Sequence, residues 1–207
     1  VNTAYLLVTG MLNQFGTAVS AAFNVGLQIN TFAGMPCWAI GQAVTAMVGQ
    51  CMGAGQVKRI RKVVKISLLM NVAVTLVVVI SIQLFAKPLI LLFGSTSSEV
   101  VNDGVYYLRI CCGINSLIYA AMYTLDSFAI GVSAANVAMI NALLDAVIVR
   151  LPMSWILAFA LNMGFPGIYY GQALSPVLPA IVGLLYFMSK KWERKTLIQS
   201  SNKGRSH

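Results

Sequence analysis

From Ile66 to Ala86 the chain reads ISLLMNVAVTLVVVISIQLFA, and no residue in the run carries a charge. Roughly 20 such residues span a bilayer core about 30 Å thick, so this run constrains what the rest of the chain can be. Its centre, Val72 to Ile80, is β-branched enough to form a strand in water. In lipid, however, a backbone must satisfy its own hydrogen bonds, and a long run without turn signals then favours a helix. Val177 to Met188 is a second apolar stretch without an ionised group. Only 9% of the 207 residues are charged, whereas a soluble domain carries about 25%. Too few charges remain to cover a soluble surface, and the chain reads as an all-α polytopic membrane protein.

Six apolar segments are predicted as transmembrane helices, at about 1–18, 22–53, 66–86, 104–125, 135–159 and 168–189. The sequence opens on Val1 without the basic stretch and cleavage site of a signal peptide. The first segment is short for a full span, so the expectation is a chain that starts inside a helix, with something preceding it in the native protein.

Charge placement gives an orientation. Lys58, Arg59, Arg61, Lys62 and Lys65 follow the second segment, and Lys190, Lys191, Arg194, Lys195, Lys203 and Arg205 follow the sixth. Basic loops stay on the cytoplasmic side, and six spans put both groups on one face, which then holds 11 of the 14 basic residues. Lys87, Glu99 and Asp103 fall opposite. The expected location is the inner (plasma) membrane, multi-pass, with 190–207 a basic cytoplasmic tail. The net charge of +9 is thus topology plus attraction to anionic lipid, about 1 kcal/mol per basic residue near the surface. No nucleic-acid partner is expected.

The stretch Met47 to Lys62, MVGQCMGAGQVKRIRK, tests for a phosphate loop. Such a loop needs a strand, then GxxxxGK followed by Ser or Thr. Here Arg59 follows Lys58 and a helix-length segment stands where the strand belongs. Gly41, Thr45, Gly49 and Gly53 instead put small residues on one helix face, where another helix can approach closely, and Gly55 suits a C-terminal cap. Cys37, Cys51, Cys111 and Cys112 lie in apolar segments without ligand spacing, and the one histidine, His207, is the last residue. Reduced, buried thiols are expected, with no metal site, no cofactor beyond a coupling ion and no enzyme chemistry.

The informative residues are then polar groups at helical spacing, because a polar side chain in hydrocarbon is costly and tends to face a bundle interior or a wet cavity. Thr9, Asn13 and Thr17 form one stripe, Asn24, Gln28 and Thr31 a second, with Gln42 and Gln50 further along. Ser67, Asn71 and Thr75 form a third, and Asn115, Tyr119, Tyr123 and Asp126 a fourth. An amide, two phenols and a carboxylate on one face suit a cavity for cationic aromatic ligands, through charge pairing, hydrogen bonds and cation–π contact. The competing reading is helix-to-helix hydrogen bonding, with Asp126 at the cytoplasmic mouth. The expected cavity wall is Thr9, Asn13, Asn24, Gln28, Asn115, Tyr119, Tyr123 and Asp126.

Asp145 and Arg150 are the ionised residues of the fifth segment, and burying either alone costs about 2.5–3.5 kcal/mol on an insertion scale. A spacing of five sets them well round a regular helix from each other, so other helices are expected to supply partners. Asn141 and Asp145, four apart, share a face and are candidates for an ion or proton relay. Arg150 stands beside Pro152 and is placed to serve carbonyls that the proline frees; Arg109 is placed to snorkel. Pro36, inside the long second segment, predicts a kink and a moving part.

The runs AAFNVGLQINTFAGMPCWAIGQAVTAMVGQCMGAG (21–55), RLPMSWILAF (150–159) and MGFPGIYYGQALS (163–175) resemble the MATE family of multidrug and toxic compound extrusion transporters, in the order of its C-terminal lobe. The resemblance covers nearly the whole chain. It implies one six-helix lobe of a twelve-helix antiporter whose two lobes enclose a central cavity and exchange organic cations for Na+ or H+. One branch of the family carries acids on the first and fourth helices of this lobe; segment 1–18 has none, and Tyr119 stands at the fourth-helix place. The other branch couples through an aspartate of the N-terminal lobe, outside this chain. The implied partners are small organic cations and a missing N-terminal lobe or second half-transporter. The alternatives are a lipid-linked oligosaccharide or lipid flippase of the same superfamily, which needs a strongly basic cavity, and a non-transporting half-length fragment or scaffold. An ATP-dependent pump lacks any nucleotide motif here.

Overall fold

The computed structural model of the chain describes residues 2–93, 97–189 and 192–193, and among these the regular structure is helical. Helix α1 is Asn2–Leu12, followed by a 3-10 turn at Asn13–Phe15; α2 is Thr17–Gly53 and α3 is Val57–Leu92. The chain continues through α4, Ser98–Cys111, and α5, Ile114–Gly131. Helix α6 is Ala135–Ala160, and the last two are α7, Phe165–Leu174, and α8, Val177–Met188. Helix α2 packs on α3, α4 and α5, α5 packs on α8, and α6 packs on α7.

Helix α3 shows what solvent the fold is built for. Its polar stripe, Ser67, Asn71 and Thr75, is buried, while Leu69, Val77, Ile80 and Leu84 are exposed. A soluble helix does the reverse, turning its apolar stripe to the core and its polar face outward. Helix α3, α6 and the α7–α8 pair are each long and apolar enough to cross a membrane, and α4 with α5 makes a bent fourth. Helix α2 is also long enough, at 37 residues.

Several boundaries differ from the sequence expectation. The 66–86 span is the middle of a longer helix, because Lys58 to Lys65 continue it; Lys and Arg are good helix formers whose long stems reach past the apolar zone. The 104–125 span is two helices, broken around Cys112 and Gly113. The second span starts at Thr17, after Gly16 at φ 116°. Every residue of α2 keeps helical dihedrals through Pro36, and the irregular backbone falls instead at Phe85 of α3 (φ −107°, ψ 18°), three residues before Pro88. Of the basic tail 190–207, all but Trp192 and Glu193 lie outside the described residues.

Helix α2 ends where the glycines suggest. Gly55 takes φ 69°, Gln56 N–H donates to the Cys51 carbonyl at 2.9 Å and Gly55 N–H to that of Met52 at 3.0 Å. This is a Schellman cap, which needs a left-handed residue after the last turn. Two apolar clusters flank the middle of the lobe. The first gathers Phe23, Tyr107, Tyr169, Ile90 and their neighbours; the second gathers Val44, Val48, Ile60, Val64, Phe128 and Trp192. Next in sequence to Ile60 and Trp192 of the second cluster, Arg61 pairs with Glu193, so the start of α3 and the residues after α8 meet at one end of the lobe. All four cysteines are buried and unpaired.

Candidate functional site

Polar groups fill the layer between the two clusters. Asn71, fully buried, donates to Thr124 Oγ1 at 2.8 Å, to the Ala120 carbonyl at 3.3 Å and to Cys37 Sγ at 3.3 Å, tying α3 to α5 and α2. Thr45 donates to the Ser127 carbonyl at 3.0 Å, and Gly41 admits the Tyr123 ring and Ser127, since a Cβ there would overlap both. The small-residue seam of α2 therefore faces α5.

Where this layer meets the first cluster, a cavity of about 470 Å³ opens. Helix α2 lines it with Leu27, Asn30, Thr31, Gly34 and Trp38, spaced as one helical face, and α3 adds Thr75 to Ile82. Helix α5 supplies Asn115, Ser116 and Tyr119, while Tyr5, Arg150 and Gln172 close it from α1, α6 and α7. Trp38 Nε1 donates to the Tyr119 hydroxyl at 3.4 Å, and Tyr119 stacks on Tyr123 with ring centroids 6.1 Å apart. The wall is thus an aromatic corner with amides beside it.

Of the expected wall, Asn115 and Tyr119 line this cavity. Tyr123 lies behind Tyr119, and Asp126, further along α5, accepts from Asn141 Nδ2 at 2.6 Å. The other four are placed elsewhere. Thr9 donates to the Tyr5 carbonyl at 2.9 Å, and Asn24 donates to the Ser20 carbonyl at 2.9 Å while facing out of the lobe. Asn13 and Gln28 are exposed. The inward face of α2 belongs to Phe23, Gly26 and Ile29, with Gly26 letting the Tyr107 ring lie against it, and Asn24 and Gln28 are turned away from it. Asn30 and Trp38 were missed, although Asn30, Gly34 and Trp38 recur at four-residue spacing as Asn24 and Gln28 do.

Asp145 and Arg150 correct the spacing argument. They pair directly, Arg150 Nη2 to Asp145 Oδ2 at 2.7 Å, and both are buried. In an α-helix residues five apart lie about 140° round at about 100° per residue. Here Leu144–Arg150 winds in π turns, whose i→i+5 hydrogen bonds stack residues five apart. Arg150 Nε lies 3.4 Å from Ser175 Oγ, and its guanidinium carbon sits 4.7 Å from the Tyr5 ring centroid. It serves these partners rather than the carbonyls near Pro152. Asn141 is fully buried, and Gly183 of α8 faces it, since a Cβ there would lie in ordinary contact, 3.5 Å from Asn141 Nδ2. Asn141 and Asp145 each keep an Oδ1 without a hydrogen-bond partner. Among the described residues no three His, Cys, Asp or Glu side chains gather as metal ligands.

The fold and sequence both have relatives. The chain is 23% identical over 197 residues to a probable multidrug resistance protein NorM of Thermotoga maritima, covering 95% of this chain and 42% of that one. It is 26% identical over 208 residues to the probable multidrug resistance protein YoeA of Bacillus subtilis, covering 96% and 43%. Among solved structures, the MATE transporter ClbM in complex with Rb+ superposes with a TM-score of 0.86 at 19% identity, over 94% of this chain and 46% of that one. The Vibrio cholerae MATE transporter VcmN in its bent form gives 0.84 at 23% identity, over 96% and 44%. The chain therefore spans somewhat under half the length of the relatives it matches. The MatE family model matches residues 1–156, and on this match, with the helical lobe that carries it, the chain belongs to the MatE family of membrane transporters.

Proposed function

We propose that this chain is one lobe of a secondary antiporter that exports cationic or amphipathic small organic compounds in exchange for Na+ or H+ by alternating access. The observation that carries the reading is the cavity: Trp38 and Tyr119 offer ring faces to a cation, and Asn30 and Asn115 offer hydrogen bonds beside them. The drive would come from an ion that binds the two conformations unequally. Asp126, Asn141 and Asp145 are the proposed relay for it, since two of their buried oxygens have no partner: the Asn141 amide oxygen can face a small cation, and the Asp145 carboxylate oxygen a small cation or a proton. ClbM, of the same fold, was solved with Rb+, a monovalent cation.

The relatives' greater length favours a transporter completed by a second lobe over a half-length scaffold. The exposed polar residues of α2, Asn24, Gln28, Gln42 and Gln50, are costly against lipid, and we assign that face to the missing N-terminal lobe or a second half-transporter. The basic cluster Lys58 to Lys65 and the tail would hold the cytoplasmic side of the plasma membrane and its anionic lipid. A flippase for lipid-linked pyrophosphates is disfavoured, because among the described residues Arg150 is the one cationic residue lining the cavity and Asp145 already neutralises it.

The test is efflux of a fluorescent organic cation by the complete protein that carries this chain. Trp38→Ala combined with Tyr119→Ala is expected to slow efflux about tenfold, the scale of a desolvated cation–π contact. Asp126→Asn is expected to remove its dependence on the Na+ or H+ gradient. Efflux and gradient dependence unchanged in these variants would sink the assignment.

A further inference from the structure

Lys87 and Arg109 are cations that the cavity does not use. They border a separate pocket of about 410 Å³ between α3 and α4, and both are exposed. Among the described residues the ion pairs are Arg61 with Glu193 and Arg150 with Asp145, so neither of these cations has a carboxylate partner. Glu99 and Asp103 belong to the same α4, but they do not border the pocket.

Two contacts fix the helices around it. Gln83 Nε2 donates to the Leu108 carbonyl at 3.2 Å, and a Cβ at Gly104 would come within 2.9 Å of Ile90 Cδ1. Helix α4 therefore runs antiparallel to α3, and its residues Asn102, Val105, Tyr106 and Arg109, on one helical face, stand opposite Gln83, Leu84 and Lys87. Ala86 and Val101 are buried beneath, whereas Leu84 is 73% exposed with the apolar outer surface of α3.

The depth of the pocket follows from α3. Lys65 and Lys87 bracket its uncharged run, about 33 Å apart at about 1.5 Å per residue, which matches a bilayer core of about 30 Å. Lys87 thus stands at the interface opposite the Lys58 to Lys65 cluster. Arg109, whose neighbour Leu108 meets Gln83, enters about one turn deeper, and an arginine so placed extends its head toward the interface. Both charges are drawn to one rim.

We infer that this pocket binds the phosphate of an anionic phospholipid in the leaflet opposite the Lys58 to Lys65 cluster, with the acyl chains running down past Leu84. Two cations without carboxylate partners match a phosphodiester, Arg109 through its fork and Lys87 as a point charge. Leu84 and Val105 match the chains. A zwitterionic headgroup fits less well, because its amine adds a third positive charge at the rim. The site is independent of what the larger cavity carries.

The experiment reads lipid contact with a tryptophan introduced by Leu84→Trp in the complete protein, reconstituted in vesicles that mix phosphatidylcholine with phosphatidylglycerol. Quenching by brominated acyl chains on one lipid or the other gives the relative affinity at this position, after subtraction of the signal from protein without the substitution. Phosphatidylglycerol is expected to be preferred about tenfold, the scale that two basic side chains near an anionic surface allow. Lys87→Gln with Arg109→Gln should bring the preference to within about twofold, and Lys87→Arg should keep it. Lys58→Gln with Lys62→Gln, at the other interface, should leave it at about tenfold. No preference in the Leu84→Trp protein, or one that survives the loss of both charges, overturns the site. So does a preference that inorganic phosphate abolishes when it replaces chloride at equal ionic strength, since that marks a site for a soluble anion.

Discussion

Gly41 is where a single hydrogen atom in place of a side chain decides the packing of α2. A Cβ there would overlap the Tyr123 ring and lie 2.7 Å from Ser127 Oγ, whereas a Cβ at Gly53, in the same four-residue series, would meet nothing within 4 Å. Gly41→Val is expected to destabilise the complete protein by about 1–3 kcal/mol, the usual range for overpacking. Gly53→Ala should leave stability within about 1 kcal/mol or raise it slightly. Thermal unfolding in detergent checks the pair, and equal effects would disprove the contact difference. The series was legible in the sequence, but spacing says which residues share a face and not what stands opposite. The same limit explains the misplaced polar residues. Thr9 and Asn24 each donate to the carbonyl four residues back, so a polar group at helical spacing can be satisfied by its own helix.

Among the elements, α6 departs furthest from the pattern its sequence suggests. It winds in π turns at Leu144–Arg150 and again at Ile156–Ala160, and the first of these brings Asp145 onto Arg150. Removing one partner of a buried pair leaves an uncompensated charge, so Arg150→Ala is expected to cost about 3–5 kcal/mol. Replacing both, as Asp145→Leu with Arg150→Met, should recover most of that loss, because well-packed apolar residues often match a buried pair. The measurement is again thermal unfolding; a double variant no more stable than Arg150→Ala would show that the pair does not act as a unit. Helix α3 was the more legible element. Its buried polar stripe and exposed apolar surface follow from the uncharged run alone, since lipid leaves the polar side chains nowhere to go but inward. The Pro36 expectation shows the opposite case: a proline removes one hydrogen bond, but whether the helix breaks there depends on what packs against it, and α2 runs on between α3, α4 and α5.

At the scale of the whole lobe, one end is held by Arg61 with Glu193 and by Trp192, buried among Phe128, Phe187 and their neighbours. Lys87 and Arg109 border a smaller pocket together, away from that end. The orientation proposed from the charges is testable: a fluorescent protein fused after His207 in the complete protein should fluoresce and an alkaline phosphatase fused there should be inactive, as the proposal of a cytoplasmic 190–207 segment requires. An active phosphatase would reverse the topology. Uncharged runs and basic loops by themselves determined the class, a helical membrane lobe with a marked charge asymmetry, because the bilayer admits few backbones and the charges have few places to sit. The cavity was decided in three dimensions. Asn30 and Trp38 of α2, Tyr119 of α5, Arg150 of α6 and Gln172 of α7 come from four helices, and no spacing within one helix predicts which faces of four will meet.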